Sequence, residues 1–322
     1  MGRNVMTKCV LITGGAGFLG SNLCKRYLDM DNTVYCVDNL STGRIQNIEK
    51  HLQDSNFYFL NYDICNEVPE LLTERHFDAI LNLASPASPP QYQRLAIETL
   101  DVGSEGLKNM INLALQNKAR FFQASTSEVY GDPEVHPQTE TYKGSVNCYG
   151  PRSMYDESKR FAEAMIYTYK NTKGLNSVIA RFFNTYGPGM DIHDGRVVTN
   201  FIYQALTGEP ITIYGDGTQT RSFCYVDDLT EGIVRLVKSD EEGPINLGNP
   251  SEFTVNELAE LVLELTQSSS KINNLPLPGD DPMQRKPDIS LALKKLGWQP
   301  KVELKEGLIQ TIDYVKKQIK QR

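Results

Sequence analysis

The chain has 322 residues, of which 40% are hydrophobic, enough for one large core or two closely packed domains. Its net charge of −7 and pI near 5.3, without a dense cluster of Lys and Arg, argue against nucleic-acid binding. No apolar run approaches the roughly 20 residues that a membrane-spanning helix needs, and the polar N-terminus does not resemble a signal peptide. We therefore expect a cytoplasmic protein that binds neither nucleic acid nor membrane.

The thiols and imidazoles give no sign of a metal site. The six cysteines form no CxxC motif, and the four histidines are scattered without ligand spacing. Cys9 and Cys36 fall inside apolar runs, where a free thiol behaves as a small hydrophobe. We expect reduced thiols, as in a cytoplasm, and no bound metal.

Short apolar runs alternate with amphipathic stretches through the first half of the chain. Strands are predicted at 8–13, 33–38, 57–64, 78–84, 120–125 and 177–184, and helices at 18–30, about 92–117 and 155–173. This alternation is typical of βαβ units. It predicts an α/β fold with a Rossmann-type, doubly wound parallel sheet.

The sequence changes character after residue 186, where turns rich in Gly and Pro separate short elements. Helices are predicted at 254–267, where Thr254 and Glu257 form a capping box, and at 304–320. We therefore expect a smaller, mixed α/β C-terminal lobe. The predicted division gives the Rossmann domain residues 1–183 and about 221–246, and gives the lobe residues 184–220 and 247–322.

The turn after the first strand carries the pattern Gly14-x-x-Gly17-x-x-Gly20 and opens the next helix. Glycines let the backbone approach a pyrophosphate, and the helix N-terminus offers unpaired N–H groups and partial positive charge. Because the pattern lies between a strand and a helix, it predicts dinucleotide binding rather than a simple glycine turn.

Acidic residues end the second and third predicted strands. Asp38 can accept hydrogen bonds from a ribose 2′-hydroxyl and would repel a 2′-phosphate, which favours NAD over NADP. Arg44 lies nearby, and a basic residue there could also accommodate NADP. Asp63 could contact the adenine or cap the following helix, and the sequence favours neither.

Polar side chains follow the fifth strand, at the sheet edge where doubly wound folds bind ligands: Ser125, Thr126, Ser127 and Glu128. On the next helix, Tyr155 and Lys159 share one face because they are four residues apart. Tyr169 and Lys173 have the same spacing but lie about 20 Å further along that helix at 1.5 Å per residue. The first pair is therefore the predicted catalytic pair.

A tyrosine with a pKa near 10 is a poor base at neutral pH. A lysine ammonium and a positively charged nicotinamide would lower the pKa of Tyr155. We expect Tyr155 to remove a proton from a sugar hydroxyl, while Lys159 holds the cofactor ribose.

The motifs TGGAGFLGS, ASTSEVYG, YDESK, FNTYGP and YGDGTQTRSF stand in an order that resembles the extended short-chain dehydrogenase/reductases of nucleotide sugars. The stretches LASPASPP, STSEVYGDPEVHPQ, GPRSMYDESKR, DGRVVTNFI and RKPDI resemble the UDP-glucuronate decarboxylases among them. The resemblance runs nearly end to end. It implies a lyase with recycled NAD, a UDP-sugar substrate, and a homodimer formed through a four-helix bundle that includes the helices near 92–117 and 155–173. Met165, Ile166 and Tyr169 could form that seam or belong to the core.

The resemblance also implies a mechanism. Tyr155 deprotonates the C4 hydroxyl with the help of Thr126, and NAD accepts the C4 hydride. The 4-keto sugar formed from a glucuronate is a β-keto acid, which loses CO2 readily. Glu128 and Ser127 then position the sugar and manage the proton at C5.

Two sets of binding residues follow from the same resemblance. The cofactor set comprises Gly14, Gly17, Phe18, Leu19, Asp38, Asn39, Ser41, Thr42, Gly43, Asp63, Ile64, Leu83, Ala84, Ser85, Tyr155 and Lys159. The substrate set comprises Pro86, Ser127, Glu128, Asn184, Val197, Tyr214, Arg221 and Arg285. Within it, the UDP pyrophosphate is assigned to Asn184, Arg221 and Arg285, and the uridine to Tyr214.

The chain departs from the decarboxylase pattern at three places. Where those enzymes read YWG, NPIGPR and GPRM, this chain reads YKG at 142–144, NCYGPR at 147–152 and GPGM at 187–190. These changes lie beside the predicted sugar pocket, so the sequence leaves the identity of the hexose open.

Three alternatives to decarboxylation stay open from the sequence. One is dehydration across C5–C6, or C5 epimerisation, on a UDP-N-acetylhexosamine, although Ser127 replaces the acid that dehydratases carry there. Another is 4-epimerisation, which does not need Glu128. The last is a non-enzymatic scaffold, against which the intact Thr126, Tyr155 and Lys159 argue.

Overall fold

The computed structural model of the protein describes residues 8–276 and 284–320. Within them the strands are β1 (Cys9–Thr13), β2 (Thr33–Asp38), β3 (Phe57–Asn61), β4 (Ala79–Asn82), β5 (Arg120–Thr126), β6 (Ser177–Phe182), β7 (Thr185–Tyr186), β8 (Ile211–Tyr214), β9 (Thr220–Ser222), β10 (Cys224–Tyr225), β11 (Pro244–Leu247), β12 (Glu252–Thr254), β13 (Ile272–Leu275) and β14 (Gln284–Arg285). The α-helices are α1 (Phe18–Leu28), α2 (Glu70–Thr73), α3 (Pro89–Arg94), α4 (Ala96–Asp101), α5 (Leu107–Asn117), α6 (Ser153–Lys173), α7 (Val197–Thr207), α8 (Val226–Lys238), α9 (Val255–Thr266), α10 (Ser290–Leu296) and α11 (Leu304–Lys320).

Seven parallel strands form the central sheet in the order β11-β6-β5-β4-β1-β2-β3. Helices cover both faces, so successive residues of a strand enter different cores. In β1, Val10 and Ile12 pack into the core that includes α1 and α8, whereas Leu11 packs into the core that includes α5 and α6. The predicted α/β class and doubly wound parallel sheet are confirmed.

Most predicted elements are present, with shifted ends. β3 stops at Asn61 and β6 stops at Phe182, earlier than the predicted ends at 64 and 184. The capping box of Thr254 and Glu257 is present at the start of α9. Gly174 ends α6 in the left-handed conformation that glycine favours.

The single helix predicted over about 92–117 is wrong. Leu95, with φ −114° and ψ 50°, leaves the helical conformation between α3 and α4. A π-helical turn over Val102–Gly106 then joins α4 to α5. The helical spacing of apolar residues continues across these positions. A single residue whose backbone leaves the helix does not change that spacing, so the break could not be predicted from it.

A third apolar core lies in the C-terminal half, where α7, α9 and α11 pack with β8 and with the Phe223–Val226 segment. β11 returns to the central sheet beside β6, after α8 has packed on the core that contains Val10. The predicted division of the chain into a Rossmann domain and a lobe stays a prediction. Within the described residues, no helix combines the length and apolar character needed to cross a membrane.

Candidate active site

The turn from β1 into α1 depends on two glycines. Gly14 has a φ of +66°, and a Cβ there would lie 2.9 Å from the backbone nitrogen of Ala84. A Cβ on Gly20 would lie 2.0 Å from the carbonyl oxygen of Gly14. Gly17 precedes α1 without a side-chain cap, so the first N–H groups of the helix can bind an anion.

A cleft extends from this turn across the carboxyl ends of β1, β2, β4 and β5 to α6. Of the predicted residues, its lining includes Gly14, Gly17, Phe18, Leu19, Asp38, Asn39, Ser41, Thr42, Asp63, Ile64, Leu83, Ala84, Ser85, Pro86, Tyr155 and Lys159. Gly43 packs directly against Asp38, where a Cβ would lie 2.6 Å from Asp38 Oδ1. The structure therefore brings the predicted cofactor set together at one surface.

Asp38 is the last residue of β2, and its carboxylate is fixed by backbone groups. Its Oδ2 accepts a hydrogen bond from the Ala16 nitrogen at 3.0 Å, and its Oδ1 accepts one from the Leu40 nitrogen at 2.8 Å. Burial raises the pKa of Asp38, although these hydrogen bonds oppose the shift. Arg44, the nearby cation, has Nη1 3.4 Å from Asp191.

Asp63 does not cap a helix, because a turn over 64–66 follows it and α2 begins only at Glu70. Its Oδ1 accepts a hydrogen bond from the Cys65 nitrogen at 2.9 Å within this turn, and Asn39 Nδ2 donates to its Oδ2 at 2.8 Å. Although partial burial opposes it, these hydrogen bonds lower the pKa of Asp63. The side chain also lines the cleft, so contact with an adenine stays a prediction.

Tyr155, Thr126 and Lys159 meet at the end of the cleft. Tyr155 is buried in the first turns of α6, beside Thr126, the last residue of β5, whose hydroxyl accepts a hydrogen bond from the Glu128 nitrogen at 3.2 Å. Lys159 Nζ lies 5.6 Å from the centre of the Tyr155 ring and donates to the Ala124 carbonyl oxygen at 3.3 Å. The other pair with this spacing ends in Lys173, which is exposed at the far end of α6.

The ionisation of this group differs from what the sequence suggested. Burial and the Glu128 carboxylate raise the pKa of Tyr155, against the opposing effects of Thr126 and Arg196. Burial also lowers the pKa of Lys159 to about 8. Burial and Glu128 outweigh Thr126 and Arg196, so the protein's own groups together raise the tyrosine pKa. Lowering by a cationic nicotinamide stays a prediction.

Glu128 lies in the short turn Ser127–Tyr130 that follows β5. Arg152 Nη2 donates to Glu128 Oε2 at 2.6 Å, and Arg285 Nη1 lies 3.5 Å from Oε1. Burial alone would raise the pKa of Glu128, but the Arg285 and Arg152 guanidinium groups hold it below its usual value. An ionised carboxylate whose side chain is 14% exposed therefore lies close to Tyr155.

Two further side chains complete this group. Asp156 lies beside Glu128, and burial together with the Glu128 carboxylate raises the pKa of Asp156 to about 8. Tyr92 of α3 is buried and stacks on Tyr155, with ring centroids 4.8 Å apart and ring planes 11° apart. The predicted base is thus held between an aromatic ring and a cluster of charges.

The arginines of the predicted substrate set also meet. Arg221 and Arg285 are register partners on β9 and β14, and Arg221 Nη1 donates to the Thr220 carbonyl oxygen at 2.9 Å. The remaining members are dispersed: Ser127 is buried, Tyr214 is 46% exposed at the end of β8, Asn184 lies between β6 and β7, and Val197 begins α7. Their contacts with a substrate stay predictions.

Several residues of the site were not predicted from the sequence. Arg196 lines the cleft, with its guanidinium 5.9 Å from the Phe18 ring centre, and pairs with Asp194. Asp156 and Tyr92 were not identified either. Arg152 could have been found, because it lies three residues before Tyr155 at the start of the same helix.

The three departures from the decarboxylase pattern occupy different environments. Lys143, which stands where the decarboxylases have tryptophan, is exposed, and its carbonyl oxygen accepts a hydrogen bond from Arg160 Nη1 at 3.1 Å. Cys148 is exposed, and Tyr149 is 96% exposed. Gly189 lines the cleft, so it is the departure that borders the binding surface directly.

Comparisons with known proteins agree with this geometry. A family model described as GDP-mannose 4,6 dehydratase matches residues 11–311. UDP-glucuronic acid decarboxylase 1 of Danio rerio is 50% identical over 312 residues, which cover 97% of this chain and 73% of the relative. UDP-glucuronic acid decarboxylase 6 of Arabidopsis thaliana is 50% identical over 300 residues, which cover 93% of this chain and 86% of the relative.

A solved structure extends the comparison. The UDP-glucuronic acid 4-epimerase of Bacillus cereus, in complex with UDP-glucuronic acid and NAD, matches with a TM-score of 0.87. It is 27% identical, and the match covers 96% of this chain and 99% of that one.

The fold and the site together define an extended short-chain dehydrogenase/reductase, the class of NAD-dependent enzymes that modify nucleotide sugars. Three features of the cleft fit NAD. Gly20 has no Cβ, so the glycine turn can close tightly, Asp38 has a fixed carboxylate, and Lys159 is buried. The chain belongs to the GDP-mannose 4,6 dehydratase family, within which it is similar to the UDP-glucuronic acid decarboxylases.

Proposed function

We propose that the protein is a UDP-glucuronate decarboxylase that forms UDP-xylose and recycles its NAD. The observation that carries this proposal is the Glu128–Arg285 pair, 3.5 Å apart, beside Tyr155. Decarboxylation through a 4-keto sugar needs a base at the C4 oxygen and separate control of the proton at C5. Tyr155 supplies the first function and the buried pair supplies the second.

The first step takes place at C4 of the sugar. Tyr155 removes the proton of the C4 hydroxyl, and the neighbouring Thr126 hydroxyl favours the ionised form of the tyrosine. Lys159 holds the cofactor ribose and places positive charge near the phenol ring. Bound NAD supplies the hydride acceptor for this oxidation and the hydride donor for the final reduction.

The second step takes place at C5. The C4 ketone makes the uronate a β-keto acid, so the C5–C6 bond breaks, CO2 leaves, and its electron pair is held in the enolate. Ser127 and Glu128 position the sugar, and C5 then takes up a proton under the control of Glu128. Burial beside two guanidinium groups keeps this chemistry away from bulk water.

The nucleotide end of the substrate is assigned to the adjacent β9 and β14. Arg221 and Arg285 are neighbours in register there, and arginine forks suit the oxygens of a pyrophosphate. Asn184, Val197 and Pro86 border the sugar or phosphates in this proposal, and Tyr214 stacks on the uridine.

A second candidate is 4-epimerisation of the same uronate. It is favoured by the match to the Bacillus cereus UDP-glucuronic acid 4-epimerase and by Gly189, a departure from the decarboxylase pattern that lines the cleft. The third candidate, C5/C6 chemistry on a UDP-N-acetylhexosamine, uses the same Tyr155 and Glu128.

One experiment separates these candidates. The purified protein is incubated with UDP-glucuronate, and separately with UDP-N-acetylglucosamine, in D2O and followed by proton NMR. A UDP-pentose with deuterium at C5 is the expected product. A UDP-galacturonate-type product would establish 4-epimerisation, and C5 deuteration or a 6-deoxy product from the amino sugar would establish the third candidate.

We further propose that the protein is a cytoplasmic homodimer. All six cysteines are free thiols, three of them buried, which fits a reducing compartment. The core that includes α5 contains Ile166, and Met165 and Tyr169 pack against it, so these three residues do not form the subunit contact. Ile97 on α4 is 72% exposed and Phe161 on α6 is 50% exposed, and these large apolar side chains suit a subunit contact.

A further inference from the structure

Two carboxyl groups meet in the buried cluster beside Tyr155. Asp156 is 8% exposed, and its backbone nitrogen donates to the Arg152 carbonyl oxygen at 3.1 Å, one helical turn from the arginine whose Nη2 donates to Glu128 at 2.6 Å. Two neighbouring carboxylates in a poorly solvated site repel one another. This repulsion favours the state in which the pair holds one proton.

The surroundings decide which carboxyl group carries that proton. Both guanidinium groups lie close to Glu128, with Arg152 at 2.6 Å and Arg285 at 3.5 Å, and they favour its ionised form. Asp156 Oδ1 is buried and receives no hydrogen bond from the described residues, as suits a neutral acid. The titratable and charged groups that face Asp156 are Glu128, Arg152, Arg285, Tyr92 and Tyr155.

The proposed reaction consumes a proton at this place. When the C5–C6 bond breaks, CO2 carries away the carboxylate carbon and its electron pair remains in the enolate. The C5–H bond then forms from that pair and one proton, so each turnover takes up one proton from solvent. A protonated acid in contact with Glu128 is therefore a local source for it.

Resting on the proposed function, we propose that Asp156 is a positioning residue that holds the shared proton against Glu128 and passes it through Glu128 towards C5. The enolate takes the proton, and the carboxyl pair regains one from solvent before the next turnover. Asp156 thereby acts through Glu128 and need not touch the sugar.

The first test compares Asp156→Asn with Glu157→Gln. Glu157 is the next residue of α6, and it lies 3.5 Å from Arg160 on the surface, with both side chains 37% exposed. Asparagine keeps the shape of Asp156 and can still donate to Glu128, but it cannot give up an acid proton. We expect kcat of Asp156→Asn to fall on the order of 10²-fold with KM unchanged, and Glu157→Gln to match the wild type.

The pH profile separates proton supply from a structural role. Because the proton on Asp156 is lost as the pH rises through about 8, wild-type kcat should fall above that pH. Asp156→Asn should lack this alkaline decline. A variant with the wild-type profile and wild-type kcat would overturn the proposal.

A readout without substrate tests the shared proton itself. Infrared spectra of the wild type, with isotope-labelled aspartate to assign the band, should show a protonated carboxyl at neutral pH that disappears well above pH 8. Absence of this band would overturn the shared proton whatever the enzyme's substrate. If the wild type does not turn over UDP-glucuronate, the proposed function is wrong, and so is the transfer of the proton to C5. The infrared result would still stand, because it needs no substrate.

Discussion

Glu163 accepts two hydrogen bonds from Arg181, at 3.0 Å from Nε and 2.7 Å from Nη2. The same carboxylate accepts a hydrogen bond from Ser125 Oγ at 2.6 Å, and Ser125 lines the cleft. Arg181 Nη1 also donates to Tyr130 at 3.0 Å. One buried ion pair therefore joins α6 to β5 and β6 directly behind the catalytic strand end.

Arg181→Met should destabilise the protein strongly. The side chains of Arg181 and Glu163 are 11% and 15% exposed, so the variant leaves a carboxylate in a poorly solvated site without its partner. We expect the free energy of unfolding to fall by about 3–5 kcal/mol, and the double variant Glu163→Gln/Arg181→Met to lose less than that. Urea denaturation at pH 7 measures both.

The matched control for this prediction is a surface pair. Lys25 and Asp29 lie 2.6 Å apart with side chains 61% and 59% exposed, so Lys25→Met should change stability by less than about 0.5 kcal/mol. If Arg181→Met and Lys25→Met lose equal free energy of unfolding, the Arg181–Glu163 pair does not stabilise the protein more than a surface pair does.

The parts of the site that depend on residues close together in the chain could be predicted from the sequence. The glycine turn, the strand-end Thr126 and the Tyr155–Lys159 pair each follow from the spacing of neighbouring residues along one strand or one helix. Arg181 and Glu163, by contrast, pair across two elements. No periodicity links residues on different elements, so their contact is a property of the packed fold.

The same limit explains Asp156 and the helix break at Leu95. The burial of Asp156 depends on Glu128, Arg152 and Arg285, which three separate segments bring together. Arg285 was predicted from the family resemblance and not from the spacing of residues. Leu95 is one residue whose backbone leaves the helix, and no turn residue marks it.

Gly20→Ala should damage both stability and cofactor binding. Its Cβ would lie 2.0 Å from the Gly14 carbonyl oxygen and 2.7 Å from Gly15 Cα, and neither is a flexible side chain. We expect a loss of at least about 1–3 kcal/mol in unfolding free energy and weaker NAD binding by calorimetry. Gly243→Ala is the control, because no atom lies within 4 Å of its added Cβ. Wild-type NAD affinity in Gly20→Ala would refute the role of this turn.

Tyr155→Phe should abolish turnover while keeping the fold. The substitution removes the hydroxyl beside Thr126 and preserves the ring that stacks on Tyr92. We expect kcat to fall on the order of 10²–10⁴-fold, with unchanged circular dichroism and bound NAD. Tyr169→Phe, in the other pair with this spacing, should retain wild-type kcat. Normal turnover by Tyr155→Phe would remove Tyr155 from its assigned role.

Asp156 makes the stability of the protein depend on pH in a defined direction. Its pKa is raised from 3.8 to about 8 in the folded state, so the folded state binds the proton more tightly than the unfolded state. The associated stability is present below pH 3.8 and is lost as the pH rises towards 8. Relative to the wild type, Asp156→Asn should therefore gain stability between these values, by at most about 1.4 kcal/mol per pH unit.

Urea denaturation of the two proteins at several pH values measures this difference, with Glu157→Gln as the reference for loss of an exposed carboxylate. A difference between Asp156→Asn and the wild type that stays constant with pH would show that Asp156 ionises normally.

Phe161→Asp should separate the proposed dimer into monomers. Phe161 is 50% exposed on α6, which packs beside α4 with its exposed Ile97, so a carboxylate there would be desolvated in a subunit contact. Light scattering should give the dimer mass for the wild type and the monomer mass for the variant. Ile309→Asp is the control, because Ile309 is 47% exposed on α11, away from both helices, and should leave the dimer intact. A wild-type monomer would refute the dimer, and a dimeric Phe161→Asp would place the contact elsewhere on the surface.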